Sequence, residues 1–316
     1  MGVLCRKCQE AISRVAGGVM KGPMFSIVVA NYNYGKFIGD AIKSAFAQTY
    51  TNFEVIICDA ASTDDSVEVI KRFAAGLEPN TERSLNDAMS NGSHITWWCS
   101  EKDKGQSEAF NKGFSHAKGR FLTWLNADDL LYPKALESIA KLIEQHADNE
   151  WFVGSTTWVD SSLNVKKCFC AHRFSVLRAT YAFMTACGPS SFFSRDLYEA
   201  VGRIDESLHY LMDTDLWYKF YLKCGAKYLR TKDDVWIFRV HDASKTTGSE
   251  ISDSAIAAKN RIRYVEETNL VADRYRWPGK WQTRLFTVLS FSLWDKIIAM
   301  CRTIKRKDKQ VSMFFN

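Results

Sequence analysis

Two adjacent carboxylates, Asp128 and Asp129, follow the apolar run Phe121–Leu125 after the pair Asn126-Ala127. Side by side, such groups repel one another unless a cation is present. Oxygen donors select a hard divalent cation, Mg²⁺ or Mn²⁺, over zinc. A cation held by one or two carboxylates keeps positions that substrate phosphates fill. The competing reading is an aspartate capping the helix that follows. Asp59 and Asp103 carry a similar pair of readings. Asp59 closes the apolar run Glu54–Cys58 and can accept a hydrogen bond from a base or ribose, or form a local turn. Asp103 stands just before Gly105–Ala117, as a ligand contact or as a helix cap. Because the neighbouring runs also end in acids, the metal reading is preferred for the Asp128–Asp129 pair.

Those residues need elements to position them. Phe25–Ala30 is a continuous apolar run, the pattern of a strand covered on both faces. Phe37 to Gln48 places Ile38, Ala41, Ile42, Ala45 and Phe46 on one helical face. Glu54–Cys58 reads as the second strand. The next helix is capped by Ser62 or Thr63 and buries Val67, Ile70 and Phe73. Ala74 to His94 is polar and reads as a loop. Ile95–Cys99, Gly105–Ala117, Phe121–Leu125 and Lys134–Glu144 continue the alternation of strand and helix. This alternation implies an α/β fold with a parallel, doubly wound sheet. Ligands bind such sheets beyond the carboxyl ends of the strands, which singles out Ala30–Asn33, Asp59, Ser100–Asp103 and Asn126–Asp129. The second half is less regular. It shows strand-like runs at Trp151–Val153, Ser191–Phe193 and Val235–Val240. A helix is expected over Asp213–Cys224, with Leu216, Phe220 and Leu222 as its apolar positions. Beyond Thr247 the pattern is helical, in two segments divided near Pro278.

Composition excludes several function classes. The 316 residues are 46% hydrophobic and 25% charged, within the range of globular chains rather than disordered ones. The net charge of +6 belongs to the ends: residues 1–24 carry +3 and residues 285–316 carry +4, so the central body is near neutral. A nucleic-acid binder needs a basic face within the fold. Basic ends suit either a solvated tail or an anionic membrane surface. Nine cysteines form neither a zinc-ribbon spacing nor a disulfide framework, although Cys5 and Cys8 make one CxxC. Reduced thiols place the expectation in the cytoplasm. The longest apolar candidate, Leu285 to Ile304, is interrupted by Asp295, Lys296 and Arg302, and falls short of the roughly 20 residues that span a bilayer.

The runs VVANYNYGKFIGDAIKSAFAQTY, EVIICDAASTDDS, SEKDKGQSEAFNKGF and GRFLTWLNADDLLYP, in that order and at those intervals, resemble the inverting family 2 glycosyltransferases of the glycosyltransferase A fold. Asp205–Leu208 and Asp213–Trp217 resemble the acceptor-side segment of that family, and Arg239–Lys245 its closing strand and loop. The resemblance covers about Phe25 to Lys245. It implies a Rossmann-like, mainly parallel sheet flanked by helices, followed by a helical C-terminal extension. It divides the chain into a basic segment 1–24, a catalytic domain 25–247 with a nucleotide-binding half 25–130 and an acceptor half 131–247, and the extension 248–316. It implies transfer of a sugar from a nucleotide diphosphate, a UDP-sugar by the same resemblance, to an acceptor hydroxyl with a divalent metal. Ala30, Tyr32 and Asp59 would then hold the base, with Asp103 near base or ribose. Asp128 would be the principal metal ligand with Asp129 beside it, and Asp213 the catalytic base. His241, Ser244 and Lys245 would approach the diphosphate, with His241 as a further metal ligand. Two positions depart from the family pattern: Asn126 replaces the first aspartate of the metal motif, and Met212 replaces the glutamate before the base, which leaves Asp215 as a second candidate. Asn126 therefore faces metal or ribose without a charge. Asp213 also has the reading of a helix cap, and His241 that of a strand-end histidine.

Other functions fit less well. A processive polysaccharide synthase would carry membrane spans and Gln-x-x-Arg-Trp, which Gln282-Thr283-Arg284-Leu285 does not match. A nicotinamide dehydrogenase needs G-x-G-x-x-G after the first strand, where this chain has Asn31-Tyr32-Asn33-Tyr34-Gly35. A non-catalytic nucleotide-sugar-binding protein remains the alternative. In the C-terminal extension, Phe286, Leu289, Leu293, Ile297, Met300 and Ile304 form one helical stripe, followed by Lys305, Arg306, Lys307 and Lys309. Such a helix either packs on its own domain or lies in a membrane interface. In the second case the protein would sit on the inner face of the cell membrane and act on a lipid-linked glycan of a bacterial envelope.

Overall fold

A computed structural model describes residues 24–76, 95–176, 186, 188–242, 244, 255–276, 293–307, 309 and 311. Lys245, the basic segment 1–23, the polar segment 77–94, Pro278 and the stripe residues Phe286 and Leu289 lie outside them.

The first half is built on strands whose two faces are both covered. β1 (Phe25–Asn31), β2 (Phe53–Asp59) and β4 (Phe121–Asn126) pair in parallel, and β3 (Ile95–Ser100) extends β2 in the same sense. Successive side chains of a strand point to opposite faces. Val28 and Ile56 therefore join a core with α3 (Gln106–His116), while Ile27, Val29, Val55 and Ile57 pack on α1 (Gly35–Phe46) and α2 (Ser66–Ala74). Each such Val or Ile contributes roughly 1.5–3 kcal/mol by full burial. The second core face is completed by β5 (Leu130–Leu131) and α4 (Ala135–Gln145).

Beyond β4 the sheet turns mixed. Among the described residues, β6 (Trp151–Val159), β7 (Val165–Phe169), β8 (Ser191–Ser194) and β9 (Leu229–Arg239) complete nine strands in the order β3-β2-β1-β4-β8-β6-β9-β5, with β7 on β6. β8 runs antiparallel to both β4 and β6, whereas β6 and β9 are parallel. α5 (Arg195–Ala200) and α6 (Met212–Cys224) cover this half. Trp217 of α6 stacks on Trp124 of β4 at 5.7 Å and on Trp151 of β6 at 5.0 Å, tying the two halves together.

Several local expectations are corrected. Ser62 and Thr63 do not cap α2, which begins at Ser66 without a side-chain cap; the Ser62 hydroxyl is held by Asp59 instead. Leu222 is exposed, and Trp217 and Tyr218 are the buried partners of Leu216 and Phe220. β6 and β9 are longer than the apolar runs that mark them, and β5 and β7 are additional strands.

Among the described residues, two helices follow the sheet, α7 (Ala255–Arg274) and α8 (Leu293–Arg306). α8 docks on β7 through polar side chains, with Met300 and Ile304 turned away. Arg302 and Arg306 both pair with Asp234, whose side chain is 6% exposed, and the Thr303 hydroxyl accepts the Cys168 N–H at 2.9 Å. Met300 and Ile304 are 57% and 70% exposed.

Candidate active site

The carboxyl ends of β1, β2, β3 and β4 open onto a cavity of about 1370 Å³ that continues beneath the start of α6 and along one face of β6 and β9. At one end, two loops lock together. The Ser62 hydroxyl accepts the Asn33 N–H at 2.8 Å, and the Asn33 side-chain oxygen accepts the Thr63 N–H at 2.8 Å. Asn33 and Ala61 both hold positive φ, 56° and 55°, a cost that clusters where geometry matters for a ligand. Ala30 and the exposed ring of Tyr32 line this end.

Asp59 does not line the cavity. It is buried, and its carboxylate accepts from the Asn31 amide (2.6 Å), the Ser62 hydroxyl (2.5 Å) and N–H (3.0 Å), and the Ser100 hydroxyl (2.6 Å). Its visible work is to hold Asn31 and Ser62 at the carboxyl ends of the strands. Asp103 does line the cavity and accepts the Gly105 N–H at 2.9 Å, a local turn rather than a cap on α3. Burial raises its carboxyl above the usual range. Gly105 is required there: its φ is +137°, a region closed to other residues, and a Cβ would sit 3.1 Å from the His209 ring.

The turn after β4 separates its two carboxylates. No helix begins at this turn, so capping is excluded. Asp128 lines the cavity, and one of its oxygens lies 3.1 Å from His241 Nε2. His241, just past β9, is buried against Phe37 at 4.4 Å between ring centroids. Asp129 points the other way. It is fully buried, accepting the Arg239 N–H at 3.0 Å and the Asn126 amide at 2.7 Å. Burial, and then the charge of Asp128, raise its carboxyl well above the usual range. Asp129 as a metal ligand is thus corrected to a residue that fixes the end of β9. Asn126 explains itself in the same geometry. Its amide donates to Asp129 where an aspartate would repel it, while its oxygen accepts from Gln106 at 2.8 Å. Ser244 lines the cavity and its hydroxyl accepts the His241 N–H at 3.2 Å.

A divalent cation fits this donor set. Asp128 offers a carboxylate and His241 an imidazole nitrogen beside it, and His241 Nδ1 makes no hydrogen bond among the described residues. No group of three His, Cys, Asp or Glu side chains converges among the described residues. A cation held here needs its remaining oxygens from a ligand, which is how Mg²⁺-type ions meet phosphates.

Asp213 is the second residue of α6 and lines the same cavity as Asp128. It is not the cap of α6, a position held by Leu211, and its oxygen accepts the Thr214 N–H at 2.6 Å. Asp215 is fully buried with Arg274 (2.5 Å), Lys219 (2.8 Å) and the Tyr275 hydroxyl (2.7 Å) around it. It is a structural ion pair, so the second candidate for the base falls away. Sequence reasoning missed Lys102, Lys104, Gln106 and His209, which also line the cavity. It also missed the wall made by Thr156 and Trp158 of β6 with Trp236 and Phe238 of β9. The alternation of β6 and β9 would have flagged that wall, had their full lengths been legible.

A sequence model described as Glycosyl transferase family 2 matches residues 26–202, more than half of the chain. An uncharacterized glycosyltransferase of Rickettsia typhi is 30% identical over 247 residues, covering 71% of this chain and 66% of that protein. The chain spans less than two thirds of the length of that relative and of a second one from Rickettsia prowazekii. The crystal structure of S. aureus TarS 1-349 in complex with UDP-GlcNAc superposes with a TM-score of 0.53 at 19% identity, over 70% of this chain and 59% of that one. Mannosyltransferase PcManGT from Pyrobaculum calidifontis, in complex with GDP-Man and Mn²⁺, superposes at 0.51 and 16% identity, over 93% and 86%. These likenesses show the fold, the glycosyltransferase A type. Asp213, His241 and Ser244 lie beyond the matched segment.

Proposed function

Since the chain belongs to glycosyl transferase family 2 and is a transferase, we propose that it moves a sugar, with inversion, from a UDP-sugar to a hydroxyl of a glycan or lipid-linked acceptor. The observation that supports this most is that Asp128, from the nucleotide-binding half, and Asp213, from the acceptor half, line one cavity. We assign residues 25–130 and 131–247 to those halves.

The locked loops around Asn33 and Ser62 shape the base end, with Ala30 and Tyr32 at its surface and Asp59 behind. Asp103 lies toward the ribose. Asp128 and His241 would hold a divalent cation, Mn²⁺ or Mg²⁺, and Ser244 would meet the diphosphate, a role the sequence also suggests for Lys245. When bound, the cation supplies Lewis-acid neutralisation of the charge that builds on the leaving diphosphate. Lys102 and Lys104 add positive charge to the same cavity. Asp213 takes the proton from the acceptor hydroxyl, which is a poor nucleophile until it does so. A single displacement needs this one base and inverts the anomeric centre.

The test is release of free UDP from a UDP-sugar in the presence of an acceptor and Mn²⁺. A binding protein without activity would release none. Asp213→Asn is expected to keep nucleotide affinity and lose turnover by about 10²–10⁴-fold. Asp128→Asn is expected to weaken UDP binding by calorimetry with Mn²⁺ and to leave metal-free binding unchanged. Equal affinity with Mn²⁺ in this variant removes Asp128 as a ligand.

A further inference from the structure

α7 lies beyond the segment matched by the family, yet its side chains grip the stretch that carries Asp213. Glu267 is 6% exposed. Its carboxylate accepts three consecutive backbone N–H groups, from His209 at 2.8 Å, Tyr210 at 2.6 Å and Leu211 at 3.2 Å. Leu211 is the capping residue of α6 and has no side chain able to cap it. Helix starts leave N–H groups without partners, and an anion there is stabilising. Of these three donors the Leu211 N–H belongs to the helix start and the other two to the segment leading into it, so Glu267 holds the entry to α6 from another helix. Two turns further along α7, Arg274 reaches both Asp205 (2.9 Å) and Asp215 (2.5 Å). The Tyr275 ring stacks on Tyr218 of α6 at 4.6 Å and 16°. Asp213 therefore sits between two anchors that both come from α7. His209 and Tyr210, whose backbone Glu267 holds, line the cavity with it.

We infer that α7 is a clamp on the acceptor side of the site, and that Glu267 is a positioning residue for His209, Tyr210 and Asp213. The consequence for sugar transfer rests on the proposed function; the clamp itself does not. A group that only positions the acceptor side affects attack by a bulky acceptor more than attack by water. A misplacement of about 1 Å costs on the order of 10²-fold in such a step.

The experiment uses the full chain and Glu267→Gln. Gln keeps the size but has one accepting oxygen and turns an NH₂ toward N–H donors. Hydrogen exchange read by mass spectrometry is expected to quicken by tenfold or more in peptides spanning 205–218, with β1 and β2 unchanged. Unchanged exchange in 205–218 overturns the clamp whether or not the protein transfers sugar. With a UDP-sugar and Mn²⁺, the ratio of transfer to hydrolysis by water is expected to fall about 10- to 100-fold while the Kd for UDP stays the same. Transfer and hydrolysis falling together, the mark of a merely structural role, also overturns it. Tyr275→Phe, which keeps the ring stack and removes only the hydroxyl on Asp215, is expected to shift the same ratio in the same direction by a smaller factor. No shift with that variant, should Glu267→Gln not fold, rejects the clamp.

Discussion

Asp213 and Asp215 are two residues apart on α6, yet neutralising them should give opposite phenotypes. Asp213 faces the cavity and Asp215 the protein interior, where Arg274, Lys219 and Tyr275 already surround it. Removing one partner of a buried ion pair costs roughly 3–5 kcal/mol. Asp215→Asn should therefore lower the thermal midpoint sharply, whereas Asp213→Asn should leave it near wild type. A differential scanning measurement on both variants decides this; equal midpoints would place the two carboxylates in the same environment. Asp103 gives a pH-dependent case. Its carboxyl is raised in the folded protein by burial. Its contribution to stability is thus complete below the unfolded value and is lost as pH rises through the folded one. Asp103→Asn should be more stable than wild type at neutral pH, and the gain should vanish on acidification. It should also bind UDP more weakly, a trade of stability against function. Denaturant unfolding at several pH values reads the first effect; a constant difference across pH would contradict it. At this scale the sequence was informative about which residues are acidic at strand ends, because strand ends are where such sheets bind ligands. It could not separate Asp128 from Asp129. Adjacent residues leave a turn in different directions, and only the arrival of Arg239 and Asn126 fixes which one is buried.

Elements whose side chains are apolar on both faces were legible at nearly their full lengths. β1, β2 and β4 are continuous runs because helices cover both sides of the sheet. β5 and β7 were not, because a two-residue strand and an edge strand with exposed Lys166 and Lys167 carry no such pattern. α7 was legible as a helix, but its docking side chains were not: Glu267, Arg274 and Val271 meet the domain, while Ile262, Val265 and Leu270 are exposed. The element-scale prediction concerns the loop from β3 to α3. Gly105→Ala forces a side chain into φ +137° and brings its Cβ to 3.1 Å from His209. Such strain costs on the order of 1–3 kcal/mol. Urea unfolding should show that loss of stability. Because Asp103, Gly105 and His209 line one cavity, the KM for the donor should rise as well. Wild-type stability in this variant would mean that the loop adopts another conformation.

At the scale of the molecule, α8 repeats the inversion seen in α7. Its arginines face inward to Asp234, and its stripe residues Met300 and Ile304 face outward with exposed Lys305, Lys307 and Lys309 alongside. A helix that is docked through charge and exposes apolar side chains beside lysines has the composition of an interfacial helix. Among the described residues no helix is long and apolar enough to cross a membrane. The proposal that follows is contact with an anionic bilayer surface, which would bring a lipid-linked acceptor to the enzyme. Each lysine near such a surface adds about 1 kcal/mol, roughly fivefold in affinity. Full-length protein should then sediment with vesicles containing anionic lipid but far less with neutral ones, and less as salt shortens the Debye length. The double substitution Met300→Ser and Ile304→Ser removes two exposed apolar side chains without touching Arg302, Thr303 or Arg306, so the helix stays docked and the thermal midpoint holds. Sedimentation should drop in this variant. Undiminished sedimentation at an unchanged midpoint would separate α8 from the membrane and leave the stripe to some other partner.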